Sequence, residues 1–204
     1  VAGMPAPADL KVGWQHHFIK ASDQKTFVPF LLSIDQGAVA GPAVSVYVRA
    51  VGRSAAVGGA SGAGRDRQPP PREAAFEDVH FPDLRAEPGK PYLLARAVSV
   101  PAGEYDLYVA VKERPRSDRR DAQAAPAKMA VVKQTLTVPD YWNGQMATSS
   151  IFVAERVEPI TQPLSESELA VRPYAFLRSL EIVPASTMRF SKKSNLSVIF
   201  QVYN

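Results

Sequence analysis

From residue 43 the chain reads AVSVYVRAV. Val44, Val46, Val48 and Ala50 fall on one parity, Ser45, Tyr47 and Arg49 on the other. Side chains leave an extended backbone toward alternate faces, so this spacing predicts a strand with one buried side. The same period governs EYDLYVAVK (104–112), where Tyr105, Leu107, Val109 and Val111 oppose Glu104, Asp106, Tyr108 and Lys112. That run follows YLLARAVSV (92–100) across Pro101-Ala102-Gly103. A three-residue connection containing glycine is a known hairpin form, so the two runs are expected to pair.

Weaker patterns fill the remainder. WQHHFIKA (14–21), FEDVHF (76–81), KMAVVKQTLTVPDYW (128–142), SSIFVAERV (149–157) and LRSLEIVP (177–184) each carry a strand-like run. TFVPFLLSI (26–34) holds Pro29 in its interior, which points to an edge strand or a bulge, because proline cannot donate to a ladder. In the final run, NLSVIFQVYN (195–204), Leu196, Val198, Phe200 and Val202 alternate with Ser197, Ile199, Gln201 and Tyr203. Both parities are partly apolar, so this strand is expected to be covered on both faces. A following segment or another chain would then complete its sheet. PLSESELA (163–170) is the one short helix expected, with Ser165 and Glu168 spaced as a capping box.

Eighteen prolines and twelve glycines in 204 residues favour turns and strands over helices. A hydrophobic content of 46% is enough to build a core. The expected fold is all-β, an immunoglobulin-like β-sandwich, with the first strands of a second sandwich at the C-terminus. Residues 1–10 form an extended arm and 11–158 the sandwich. Residues 52–73, rich in small residues, arginine and proline, form a flexible insertion within it. Residues 159–176 are a linker with the short helix, and 177–204 open the second sandwich. A start at Val1 rather than methionine suits a cleaved chain or a fragment.

Charge and composition narrow the chemistry. Lys and Arg total 24 against 20 Asp and Glu, a mild basic bias without a clustered face or a recognition motif, so no nucleic-acid partner is expected. The absence of cysteine removes disulfides and thiolate chemistry. No apolar run reaches the roughly 18 residues of a membrane span. His16 and His17 are adjacent and would leave a strand on opposite faces, so they do not share a metal; either could meet His80 and Asp78 only if their strands pair. No metal site and no cofactor is expected. There is no G-x-S-x-G elbow, and the glycines between 58 and 64 lack the G-K-[ST] of a phosphate loop. Glu77, Asp78, Glu104 and Asp106 could face one another as the carboxylate pair of a glycoside hydrolase, though such pairs arise by chance on any acidic strand edge. The Arg-rich stretch 114–120 reads as a solvated loop.

Two surfaces could bind. Trp14, Tyr47, Tyr108 and Trp142 could form an aromatic platform for sugars or a partner protein, with Tyr92 and Tyr141 in the wider aromatic set. Leu196, Val198, Phe200 and Val202 could carry assembly through an open sheet edge.

Three stretches together resemble a poorly characterised group of exported bacterial proteins with immunoglobulin-like β-sandwich domains. They are PAGEYDLYVAVKE, TVPDYWNGQMATSSIFVAERVEP and RPYAFLRSLEIVPASTMRFSKKSNLSVIFQVYN. The early G-W-x-x-H-F and T-F-V-P-F-x-L are similar to that group as well. The resemblance covers most of the chain and rests on strand and turn residues. It implies a fold and a secreted, periplasmic or cell-surface location, and it implies no activity. The expected function is a non-catalytic module of extracellular or envelope assembly or adhesion, its partner a protein or a second copy. A carbohydrate-binding module is the alternative, with an unrecognised hydrolase as a further one.

Overall fold

A computed structural model of the chain describes residues 6–53, 73–84, 87–114, 126–176, 179–193 and 195–204. The expected insertion lies outside the described residues from 54 to 72, as does the Arg-rich stretch from 115 onward. The elements in chain order are β1 (Val12–His16), β2 (Ile19–Lys20), β3 (Thr26–Ile34), β4 (Val44–Gly52), β5 (Ala74–His80), β6 (Tyr92–Val100), β7 (Gly103–Glu113), β8 (Met129–Val138), β9 (Ala147–Thr148), β10 (Phe152–Pro159), α1 (Glu166–Val171), β11 (Ala175–Phe176), β12 (Leu180–Pro184), β13 (Ser197–Ile199) and β14 (Val202–Tyr203). The fold is all-β with one short helix.

Three antiparallel sheets stack as layers. The first has the order β5-β4-β7-β8. In the second, β3 is central, with β6 along one side and β1 and β2 in tandem along the other. The third has the order β11-β12-β10-β13, with β9 and β14 paired beside it. The alternation read in the sequence locates the main core. Val44, Val46, Val48 and Ala50 of β4 and Tyr105, Leu107, Val109 and Val111 of β7 are all buried. They meet Val28, Phe30, Leu32 and Ile34 of β3 and Leu94, Val98 and Val100 of β6 in one cluster between the first two sheets. β6 and β7, expected to pair as a hairpin, lie in different sheets: β6 pairs with β3, and β7 with β4 and β8. The short connection instead carries the chain from one layer to the other, through Gly103, whose φ of +149° favours a residue without a side chain.

Residues 177–204, expected to open a second sandwich, instead help to complete this one. β12 and β13 pair with opposite sides of β10. The sheet they build packs on the other face of the middle layer, where Ile19 and Leu31 meet Phe152, Ala154, Tyr174 and Ile182. β3 is therefore buried from both sides, which accounts for its nearly unbroken apolar run.

Pro29 was expected at an edge or bulge, yet it sits in the central strand, in regular register with Ala97 of β6. Its carbonyl accepts from the backbone N–H of His17 at 2.9 Å. A strand residue points its nitrogen and carbonyl to the same side, so the missing N–H faces the break between β1 and β2. The ladder along β3 is interrupted there, opposite His17.

The helix forms as its capping signal predicts. Ser165 Oγ accepts from the Glu168 backbone N–H at 3.3 Å, and the Glu168 carboxylate accepts from the Ser165 backbone N–H at 2.9 Å.

Candidate interaction surfaces

The four aromatic residues of the expected platform are not brought together. Tyr47 and Tyr108 share the outward face of the first sheet. Tyr47 stands opposite Ala110 and Tyr108 opposite Arg49 in the β4–β7 register, so the two tyrosines are diagonal neighbours. Tyr47 donates to Glu77 Oε1 at 2.7 Å, and Lys133 Nζ lies 5.4 Å from the centre of the Tyr108 ring. Val79 and Val131 extend the same face across β5 and β8. Trp14 belongs elsewhere: its ring stacks on Phe30 at 4.8 Å and packs against the main core. Trp142, 44% exposed, lies beside β2 and β3, with Lys20 Nζ 4.3 Å from its ring centre and its indole N–H donating to the Lys25 carbonyl at 3.2 Å.

The carboxylates considered for hydrolysis are engaged in surface pairs. Glu104 and Asp106 face Arg53 at 3.5 and 3.7 Å, and Lys133 stands 3.1 Å from Asp106. Partial burial acts to raise the Asp106 carboxyl, but Lys133, Thr135 and Arg53 together hold it below the usual range. The histidines are dispersed. His16 accepts from the Trp14 indole N–H at 3.0 Å, His17 is buried against Phe152, and His80 pairs with Asp78 at 3.2 Å. Among the described residues no three His, Asp or Glu side chains are grouped to hold a metal ion.

The C-terminal strand has a different character. β13 and β14 are two parts of one extended segment, joined to β9 and β10 by Ser149. The Ser149 backbone N–H donates to the Gln201 carbonyl at 2.9 Å, and its Oγ accepts from the Gln201 N–H at the same distance. Ile199 and Tyr203 face inward onto the second core. Tyr203 accepts from the Lys20 backbone N–H at 3.0 Å and packs edge-on against Tyr141. The other parity faces out. Leu196, Val198 and Phe200 are each 53% exposed and Val202 61%. The expectation of cover on both faces therefore fails: the inward side alone is covered, because the third layer is the last layer on that side. Among the described residues no strand pairs with the free edge of β13.

Three other sheet edges are blunted. The arm runs along β8, where Val131 N–H donates to the Pro7 carbonyl and Asp9 N–H to the Met129 carbonyl, both at 2.9 Å. β5 carries Glu77 and Asp78 and meets β4 through a bulge, and β11 is two residues long. Residues 195–204 contain no charged side chain, no proline and no glycine. Just before them, exposed Met188 and Phe190 alternate with Arg189, and Lys192 and Lys193 follow.

Two features escaped the sequence reading. Met188 and Phe190 sit in a loop with no periodicity to mark them. Arg96 had a signal: it stands on the core-facing parity of β6, between Leu94 and Val98.

No protein-family model, curated protein or solved structure matches the chain.

Proposed function

We propose that the protein is a non-catalytic assembly module whose C-terminal edge strand pairs with the same strand of a second copy. One observation carries this reading: the segment holding β13 and β14 has an unpaired edge and four outward apolar side chains more than half exposed. An edge without charge, proline or bulge is a template for strand pairing, whereas the β5, β8 and β11 edges are blunted. Self-pairing suits the segment because it is uncharged, so antiparallel copies set apolar side chains against apolar ones with no like-charge cost. The setting in this proposal is the cell envelope or the outside of the cell, a reading supported only by the resemblance of strand and turn residues to exported β-sandwich proteins.

Light scattering on chromatographed protein across a hundredfold concentration range tests the reading. The wild type should shift from monomer to dimer, while Val198→Lys and Phe200→Lys remain monomeric with unchanged circular dichroism. A wild type that stays monomeric at every concentration, or variants that associate as it does, would overturn it.

Tyr47 and Tyr108 on the open face of the first sheet favour a second reading, a carbohydrate platform. Affinity electrophoresis in polysaccharide gels, comparing wild type with Tyr108→Ala, tests that reading independently of assembly. Retardation of the wild type that the substitution abolishes would support it, and equal mobility of the two proteins would remove it.

A further inference from the structure

A cavity of about 780 Å³ opens where α1, β6, β12 and the chain after β5 converge. That is the range of pockets that hold small molecules. Arg96 is among its lining residues and is only 5% exposed. Its Nη1 donates to the Ala95 carbonyl at 2.6 Å, while its Nε is buried without a hydrogen-bond partner among the described residues. A guanidinium has five donors and keeps its charge, so leaving it desolvated and without a contacting anion is costly.

The carboxylates around the cavity are committed elsewhere. Glu181 is held by Arg172, whose Nε donates to it at 3.1 Å. Asp83 pairs with Arg114 at 3.0 Å, and Glu168 caps α1 through Ser165. Asp78 is engaged by His80 and acts on Arg96 only through space. Among the described residues no carboxylate forms an ion pair with Arg96.

We propose that this cavity binds an organic monocarboxylate with an apolar body, its carboxylate on Arg96 and its body against Phe81, Leu93 and Val171. The planar fork of a guanidinium matches a carboxylate. A single negative charge suits the site better than a phosphate, because Glu168 and Glu181 also line it. A free aliphatic acid and the C-terminus of a peptide share this chemistry.

The test is a titration of the whole chain with octanoate, and separately with acetyl-Ala-Ala-Leu, following the Arg96 Nε–H resonance by NMR. At least one acid should give a saturable shift that octanol and the amidated peptide do not. The acid that binds identifies the source. Arg96→Met should weaken binding at least tenfold. Val171→Glu, a change at an exposed rim position that leaves the core intact, should weaken it at least fivefold and decides the matter if the first variant fails to fold. Absence of saturable binding by both acids, or unchanged affinity in Val171→Glu, would overturn the proposal.

Discussion

His17 Nδ1 and the Tyr174 hydroxyl lie 3.2 Å apart across 157 positions of sequence. The imidazole also stacks on Phe152 at 4.3 Å between ring centres. This contact ties the segment joining β1 and β2 to the third layer, in a place that water scarcely reaches. Burial, followed by the charge of neighbouring His16, pushes the His17 pKa down to about 4. The unfolded chain then takes up a proton before the folded one does. The stabilising contribution is complete above the unfolded value of about 6.5 and is lost as pH falls toward 4, by up to about 3 kcal/mol. Urea unfolding at pH 7, 6, 5 and 4 should show this decline, and His17→Gln should flatten it. A His17→Gln slope equal to that of the wild type would refute the assignment.

Phe152 is fully buried in the second cluster, against His17, Tyr174 and Phe176. Phe152→Ala should cost about 3–5 kcal/mol. Because the middle sheet serves both cores, the loss should appear in one transition that tyrosine and tryptophan signals report together. Two separated transitions in the wild type would show instead that the third layer unfolds on its own.

Gly103 opens β7 with a positive φ where the chain crosses from β6, and an added Cβ would meet the Tyr105 ring at 3.6 Å. That distance is ordinary contact, so the expected cost of Gly103→Ala comes from the backbone, about 1–2 kcal/mol. Thermal denaturation of the variant measures it, and an unchanged midpoint would contradict the strain.

Ser165→Ala removes the oxygen that caps α1. The expected loss is about 1 kcal/mol, read by the same melts. The helix is only six residues long, so its far-ultraviolet contribution should fall along with the midpoint.

Much of the sandwich was legible because β4 and β7 each bury one side and bare the other. Period two then writes the core directly into the sequence. The capping box was equally local: two side chains three residues apart satisfy each other's backbone. β3 resisted the same reading because layers on both of its faces erase the alternation, and its proline suggested an edge. Exposure at the candidate surfaces was not legible, and the final strand was expected to be covered on both faces. Trp142 and the outward parity of β13 and β14 face solvent, whereas Trp14 is drawn against Phe30.

The sequence by itself determined which side chains share a face, where the chain turns between β6 and β7 and where the helix begins. Each of these depends on the geometry of a few consecutive peptide units. Tertiary structure alone decided that the C-terminal strands form a third layer on the first sandwich, that Pro29 faces a gap, and that Arg96 is buried beside a cavity. Those outcomes depend on which sheet faces meet across long stretches of chain, and periodicity within a strand carries no information about its partner.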